Sequence, residues 1–241
     1  MAWLDYGSKP LPSLLAITAA LGAQITCSQL WRLPRIDLRS PLITGLSLSL
    51  LLRTDDPALM AVAGVIAIVA KFAIRIDGKH LWNPAAIAIV TLLFSTDRAW
   101  ISPGQWGASI WLAALLAFFA ILVLQASRRT DIALFFLGAH TALLLARADW
   151  LGDPLAIPIH QLENGALLLF AFFMISDPRT APDSRLGRLV FAVAVALLGH
   201  WLAFFQQMRP ALPVALVAVS LLTPVLDRLL PSERFQWSKP S

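Results

Sequence analysis

The chain has 241 residues, 58% of them hydrophobic and only 14% charged, and its mean hydropathy is +0.73. Soluble domains carry roughly 25% charged residues, so these figures exclude an ordinary water-soluble globular domain. The net charge of +5 does not point to nucleic acid, because the basic residues are scattered in short connections between apolar runs, where they read as membrane-topology signals.

Met1 to Pro10 is polar and lacks the basic start of a secretory signal. Apolar runs follow at 11–31, 41–52, 58–74, 83–95, 107–125, 132–147, 160–176, 189–205 and 211–226. The first is long enough for a membrane span and too long for a signal core. It holds Cys27, the single cysteine, which has no disulfide partner or zinc-type spacing and reads as a packing residue. The runs predict an all-α, polytopic membrane helix bundle of about nine helices, with residues 1–241 as a single transmembrane domain.

Two runs are short. Runs 41–52 and 83–95 would rise only ~20 Å at 1.5 Å per residue, against a hydrocarbon core of ~30 Å. Each ends at a Thr-Asp pair, Thr54-Asp55 and Thr96-Asp97, and run 160–176 ends at Ser176-Asp177. Polar backbone at membrane depth is tolerated only where protein or a hydrated cavity receives it, and short or interrupted helices in matching positions point to a transporter-like architecture.

Lys and Arg set orientation. With the N-terminus outside, the inner connections carry thirteen basic residues and the outer ones five, which predicts an outside N-terminus and a cytoplasmic C-terminus.

Segments 80–107 and 160–187 resemble each other at an offset of 80 residues. His80 meets His160, Ala86 meets Ala166, Asp97 meets Asp177 and Gly107 meets Gly187. Two crossings, runs 107–125 and 132–147, lie between the copies, so the second runs opposite to the first. That predicts an inverted internal repeat, an architecture that places sites near the midplane.

Three stretches resemble a known family. Gly78-Lys79-His80-Leu81-Trp82-Asn83-Pro84-Ala85-Ala86 is similar to its Gly-Lys-His-x-x-Asn-Pro-Ala-Ala motif. Phe173-Met174-Ile175-Ser176-Asp177-Pro178-Arg179-Thr180-Ala181-Pro182, followed by Arg185 to Arg188, resembles a second, and Trp100 to Gly107 a third. The family comprises the D subunit of the Rnf-type electron-transport complex and the B subunit of the sodium-pumping NADH:quinone oxidoreductase, and it includes short stand-alone relatives. The resemblance covers roughly residues 75–205 and implies electron transport, redox protein partners and flavin in the membrane core. The larger members carry a Ser-Gly-Ala-Thr stretch whose Thr holds flavin mononucleotide (FMN) covalently. Here the corresponding loop is Ser127-Arg128-Arg129-Thr130, so covalent FMN is not expected, and non-covalent FMN or riboflavin is.

Candidate site residues follow from both readings. Lys79 and His80, with Asn83 and Pro84 in the first turn of a short helix, suit a flavin phosphate or a quinone oxygen; the plainer reading is a helix cap with an interfacial anchor. Ser176, Asp177 and Thr180 form the second binding element. Asp97, Glu163 and His160 are candidates for an ion or proton path, since ionisable groups near membrane depth are costly; capping or pairing with Arg98 or Arg179 is the alternative. His140 and His200 fall inside helices and are expected to be hydrogen-bonded within the bundle. Trp31, Trp82, Trp100, Trp106 and Trp150 mark helix ends, as an interfacial belt would.

No nucleophile elbow, phosphate-binding glycine loop or metal cluster is present in the sequence. The expected function is a membrane electron-transfer component using non-covalent flavin or quinone, set in the lipid bilayer beside redox protein partners, with no nucleic acid. The alternatives are a small-solute channel or secondary transporter, possibly for a flavin, and a structural anchor for redox partners.

Overall fold

The computed structural model describes residues 10–102 and 130–235, which form two compact units, 1–107 and 108–241. Run 107–125, Trp106 and Gly107, and Ser127 to Arg129 lie outside the described residues.

The first unit contains helices α1 (Pro10–Leu30), α2 (Arg39–Leu51), α3 (Pro57–Ala73) and α4 (Pro84–Ser95). The core follows from small residues. Ala16 and Ala20 of α1 and Ala63 and Ala67 of α3 are fully buried. Between them Gly64 lies so close to α1 that a Cβ there would sit 2.6 Å from the Ala16 carbonyl oxygen. Lipid tails give apolar helices no hydrophobic reason to associate, so close backbone approach through small residues supplies the attraction. Gln24 meets Lys71 and Trp31 meets Phe72, so α1 and α3 run parallel. The Ser49 hydroxyl reaches the Ser13 carbonyl and Gly45 approaches Ile17, so α2 runs back between their ends.

Two short ribbons close the unit, and the apolar pattern did not anticipate them. Strand β1 (Leu52–Thr54) pairs antiparallel with β4 (Ala99–Ile101) through Leu52↔Ile101, Arg53↔Trp100 and Thr54↔Ala99. The ribbon joins the ends of the two short helices, α2 and α4. Strands β2 (Arg75–Ile76) and β3 (Lys79–His80) form a hairpin between α3 and α4. Its turn, Asp77-Gly78, has φ of 50° and 79°. Two positive φ values define the turn whose twist suits a two-residue hairpin, and Asp-Gly is among its preferred sequences.

The second unit contains α5 (Thr130–Leu151), α6 (Ala156–Leu162), α7 (Gly165–Leu169) continuing as a π turn (Phe170–Met174), α8 (Arg185–Phe204), α9 (Ala211–Ser220) and α10 (Thr223–Leu229). An ion pair fixes α5 to α8 at their starts. Arg188, 9% exposed, donates from Nε and Nη2 to the Asp131 carboxylate at 2.6–2.9 Å. Near the other end the Arg147 guanidinium stacks on Phe204, 4.2 Å from the ring centroid. The two helices therefore run parallel.

Among the described residues, three helices are long and apolar enough to cross a membrane: α1, α5 and α8. The number rises to five if each bent pair is one span. The chain is thus an all-α polytopic membrane protein. Two runs expected to be continuous are broken. Run 160–176 splits into α6 and α7 with a bend of 48°, because Asn164 leaves the helix to cap the next one, accepting from the Ala166 N–H at 2.8 Å. Run 211–226 splits at Leu221-Leu222 with a bend of 46°, and Pro224, which has no N–H, occupies the first turn beyond the break.

His140 and His200 also differ from expectation. Their Nδ1 atoms are enclosed and have no hydrogen-bond partner among the described residues. His140 instead stacks on Phe136 at 5.5 Å and His200 lies 4.6 Å from Phe204.

The packing of both units is testable by thermal melts in one detergent. Gly64→Ala should destabilise the protein by about 1–3 kcal/mol through overpacking, whereas Gly22→Ala, with nothing within 4 Å of the new Cβ, should leave the melting temperature unchanged or raise it. Asp131→Asn should cost about 3–5 kcal/mol by leaving a buried guanidinium unpaired, and a double Asp131→Leu/Arg188→Leu variant should recover most of that loss.

Candidate functional site

The element holding Lys79 and His80 is built by the hairpin, not by the helix after it. Both residues are half-buried on β3, with His80 opposite Arg75 and Lys79 opposite Ile76. The Leu81 N–H donates to the Ile74 carbonyl at 3.3 Å and extends the hairpin towards α4. There Asn83, 6% exposed, caps the helix by accepting from the Ala86 N–H at 3.0 Å.

That cap changes the chemistry expected of the helix start. Pro84 has no N–H, Ala86 gives its own to Asn83 Oδ1, and Ile87 donates to the Asn83 carbonyl at 3.1 Å. Few donors of the first turn remain for an anion. The cation and imidazole on β3 are the ligand-type groups of this element.

Behind the hairpin lies a buried cation that the sequence pattern leaves among helix ends. Lys71, 8% exposed in the last turn of α3, donates from Nζ to Gln24 Oε1 at 3.0 Å and to Ser40 Oγ at 2.8 Å. Gln24 also donates to Ser28 Oγ at 3.3 Å. A lysine and a glutamine inside apolar helices were the available signal. Cys27 is buried nearby with Ala20, Ile68 and Phe72, as a packing residue.

In the second unit, Ser176, Asp177 and Thr180 belong to one tight turn just after the π turn. The Ile175 N–H donates back to the Phe170 carbonyl at 3.0 Å, five residues away. Such wide turns are frequent at functional positions. Ser176 and Thr180 are buried, at 2% and 3% exposure, and their hydroxyls donate to the Phe172 and Asp177 carbonyls. The half-buried Asp177 accepts the Arg179 N–H at 3.0 Å on Oδ1, while its carbonyl accepts from the N–H groups of Thr180 and Ala181 at 3.2 and 3.0 Å. The pairing of Asp177 with the Arg179 side chain is thus replaced by a side-chain-to-backbone turn. Asp227 of α10 supports the loop by accepting the Asp183 N–H at 2.8 Å, and Ser184 caps α8 by accepting from Gly187 at 2.9 Å.

The ion-path candidates are spread out. Asp97 is exposed in the turn between α4 and β4. Its neighbour Arg98 pairs with Asp55 at 3.0 Å and Asp56 at 3.4 Å, and Thr96 Oγ1 accepts the Arg98 N–H at 3.1 Å. His160 is exposed on α6, and Glu163, expected one turn inside a helix, is exposed at the break before Asn164. Asp97 belongs to the first unit, His160 and Glu163 to the second.

The two capped short helices refine the internal resemblance. Asn83 and Asn164 each cap the start of a short helix and lie 81 residues apart, whereas Asp97 and Asp177 lie 80 apart.

Arg53 shows how the opposite end of the first unit is finished. Its guanidinium donates to the Ser49 and Leu52 carbonyls at 2.6 and 3.0 Å, satisfying the end of α2, and burial pulls its pKa below the ordinary arginine value.

Known proteins share part of this chain. The D subunit of an ion-translocating oxidoreductase complex from Escherichia coli is 34% identical over 125 residues, which cover 51% of this chain and 34% of that protein. The protein of the same name from Alcanivorax borkumensis is 36% identical over 95 residues, covering 39% of this chain and 27% of the relative. The alignments thus span about a third of the relatives' length. The NQR2, RnfD, RnfE family model matches residues 99–236. The match takes in more than half of the chain, including the Ser176–Ala181 turn, and the chain belongs to the NQR2, RnfD, RnfE family.

Proposed function

We propose that this protein is an electron-transfer component of the bacterial cytoplasmic membrane that works beside redox protein partners and holds a flavin, or a quinone, non-covalently. The observation that carries the reading is the Ser176–Ala181 turn, set at the end of a π turn inside the family-matched region, with a half-buried carboxylate and two buried hydroxyls. The relatives are named as ion-translocating oxidoreductase subunits, which favours redox work in a larger assembly.

Two separate elements, one in each unit, suit such a group chemically. In the second unit Asp177 would accept a ring N–H. In the first unit Lys79 and His80 would hold a phosphate or a carbonyl carrying partial negative charge, each through a charge-assisted or neutral donor. When bound, a flavin supplies one- and two-electron chemistry; the chain positions it and sets the charge around it. Asp97, Glu163 and His160 are kept as ion or proton contacts of the same reading. The covalent attachment of the larger family members does not apply, because Thr130 lacks their motif.

A second reading, a channel or secondary transporter for a small solute, is favoured by the two bent helix pairs. Broken helices arranged as an inverted repeat are how transporters expose backbone at the midplane. Nine crossings with an outside N-terminus complete the proposal for either reading, and the charge pattern of the first unit supports that orientation. Arg32, Arg35, Arg39, Arg75 and Lys79 gather at the end where α1 and α3 finish, whereas Arg98 at the other end is neutralised by Asp55 and Asp56.

Purified protein should show a yellow flavin absorption band that is lost on denaturation and filtration, and denatured protein in a gel should not fluoresce under ultraviolet light. A colourless protein favours the transporter. Lys79→Ala and Asp177→Asn, each tested separately, should weaken flavin retention roughly 10- to 150-fold, the loss of one charge-assisted hydrogen bond. Full retention in a folded variant would remove that element from the proposal. Reporter fusions after Ser127 and Ser241 should both read cytoplasmic.

A further inference from the structure

The connection between α1 and α2 has an unusual surface. All nine residues from Trp31 to Arg39 are exposed. Four are large and apolar: Trp31, Leu33, Ile36 and Leu38, at 39–49% exposure. Three are arginines, Arg32, Arg35 and Arg39, and none of the three side chains has an ion pair among the described residues. The one carboxylate of the segment, Asp37, is occupied with the backbone, accepting the Arg39 N–H at 2.9 Å.

The geometry fixes where this segment lies. Helix α1 has 21 residues, a rise of ~30 Å, which matches the hydrocarbon thickness. The residues just beyond it stand at headgroup depth. The helix ends in a double-bonded cap: the Arg32 N–H donates to Gln29 at 3.0 Å and the Leu33 N–H to Ser28 at 2.9 Å. That motif puts its left-handed residue at position 32, where glycine is usual. Here it is an arginine, with φ of 51°. The conformation is costly for a residue with a Cβ, and it turns a cation outward at the membrane edge.

The end of α3 adds to the same patch. Phe72 packs on Trp31 at 5.6 Å, and the exposed Arg75 lies 5.0 Å over the Phe72 ring. Residues 71–80 repeat the Arg-Ile-Asp-x-basic pattern of residues 35–39, as Arg75-Ile76-Asp77-Gly78-Lys79. Together, segments 31–40 and 71–80 carry six Lys or Arg against two Asp.

We infer that Trp31–Arg39, with Arg75, forms a seat for the headgroups of anionic phospholipid. The arginines take the phosphates bidentately, while Trp31, Leu33, Ile36 and Leu38 enter the boundary between headgroups and acyl chains. An acidic protein partner would use the cations equally well. The alternation of apolar and cationic residues at the exit of a membrane-length helix favours lipid, which presents hydrocarbon and phosphate at adjoining depths.

The test uses the full chain in nanodiscs containing equal phosphatidylglycerol and phosphatidylcholine, with retained lipids counted by native mass spectrometry. The wild type should retain phosphatidylglycerol preferentially. Each arginine neutralised should lower that preference about fivefold, so Arg32→Gln/Arg35→Gln/Arg39→Gln should lower it by about a hundredfold, while the corresponding triple Lys variant keeps most of it. Arg98→Gln, at the other end of the unit, should leave it unchanged. Melting temperatures in phosphatidylcholine alone identify variants that misfold, and for those the triple Lys variant decides. An unchanged preference in the triple Gln variant, or an equal fall in Arg98→Gln, overturns the assignment. So does loss of a co-purifying acidic protein with lipid preference intact.

Discussion

Hydrocarbon offers nothing to a backbone N–H or carbonyl, and several helix ends among the described residues answer that constraint. Asp56, Asn83, Asn164 and Ser184 each accept an N–H at the start of a helix. The Arg53 guanidinium covers carbonyls at the end of α2. The short helices α2 and α4 stop before a full crossing, and their continuations pair with each other as the β1–β4 ribbon, so the ladder takes up the groups that the helices release. The interruptions that first suggest a defect are therefore finished pieces of structure. They also consume much of the polar capacity that a ligand would need, which is why the start of α4 is a poorer anion site than its sequence implies.

Charge is distributed under the same constraint. At the ribbon end of the first unit, Arg98 is matched by Asp55 and Asp56. At the other end Lys71 is buried against neutral acceptors, Gln24 and Ser40, and the surrounding arginines face outward. Those acceptors lower the cost of burying its ammonium group.

The membrane class, the short helices and the family were legible from apolar run lengths and three motifs, because hydrocarbon thickness and motif spacing act on sequence directly. The breaks at Glu163-Asn164 and Leu221-Leu222 were not, since a hydropathy pattern reads straight through residues whose side chains cap the next helix. Asp77-Gly78 was a visible hairpin signal, masked by the expectation of an uninterrupted bundle. Asp131 and Arg188 lie 57 positions apart and carry no local pattern linking them; only the packing of α5 on α8 brings them together. Of the site candidates, Ser176, Asp177 and Thr180 share one turn, Lys79 and His80 share one hairpin, and Asp97, His160 and Glu163 are exposed positions with no common cluster within their units.

The double fastening of α5 to α8 has a mechanical consequence. From Asp131 to Arg147 and from Arg188 to Phe204 the chain advances by the same sixteen residues, so both fastenings close without stretching either helix, and the pair behaves as a strut. Sliding one helix past the other would break a buried ion pair and a stacked cation together. Among the described residues of the second unit, bending then falls more easily on the two kinks, where few backbone bonds must be exchanged for a change of angle. The Ser176–Ala181 turn hangs between the strut and one of those kinks, so any bending there is delivered to it as a rotation about a fixed bearing.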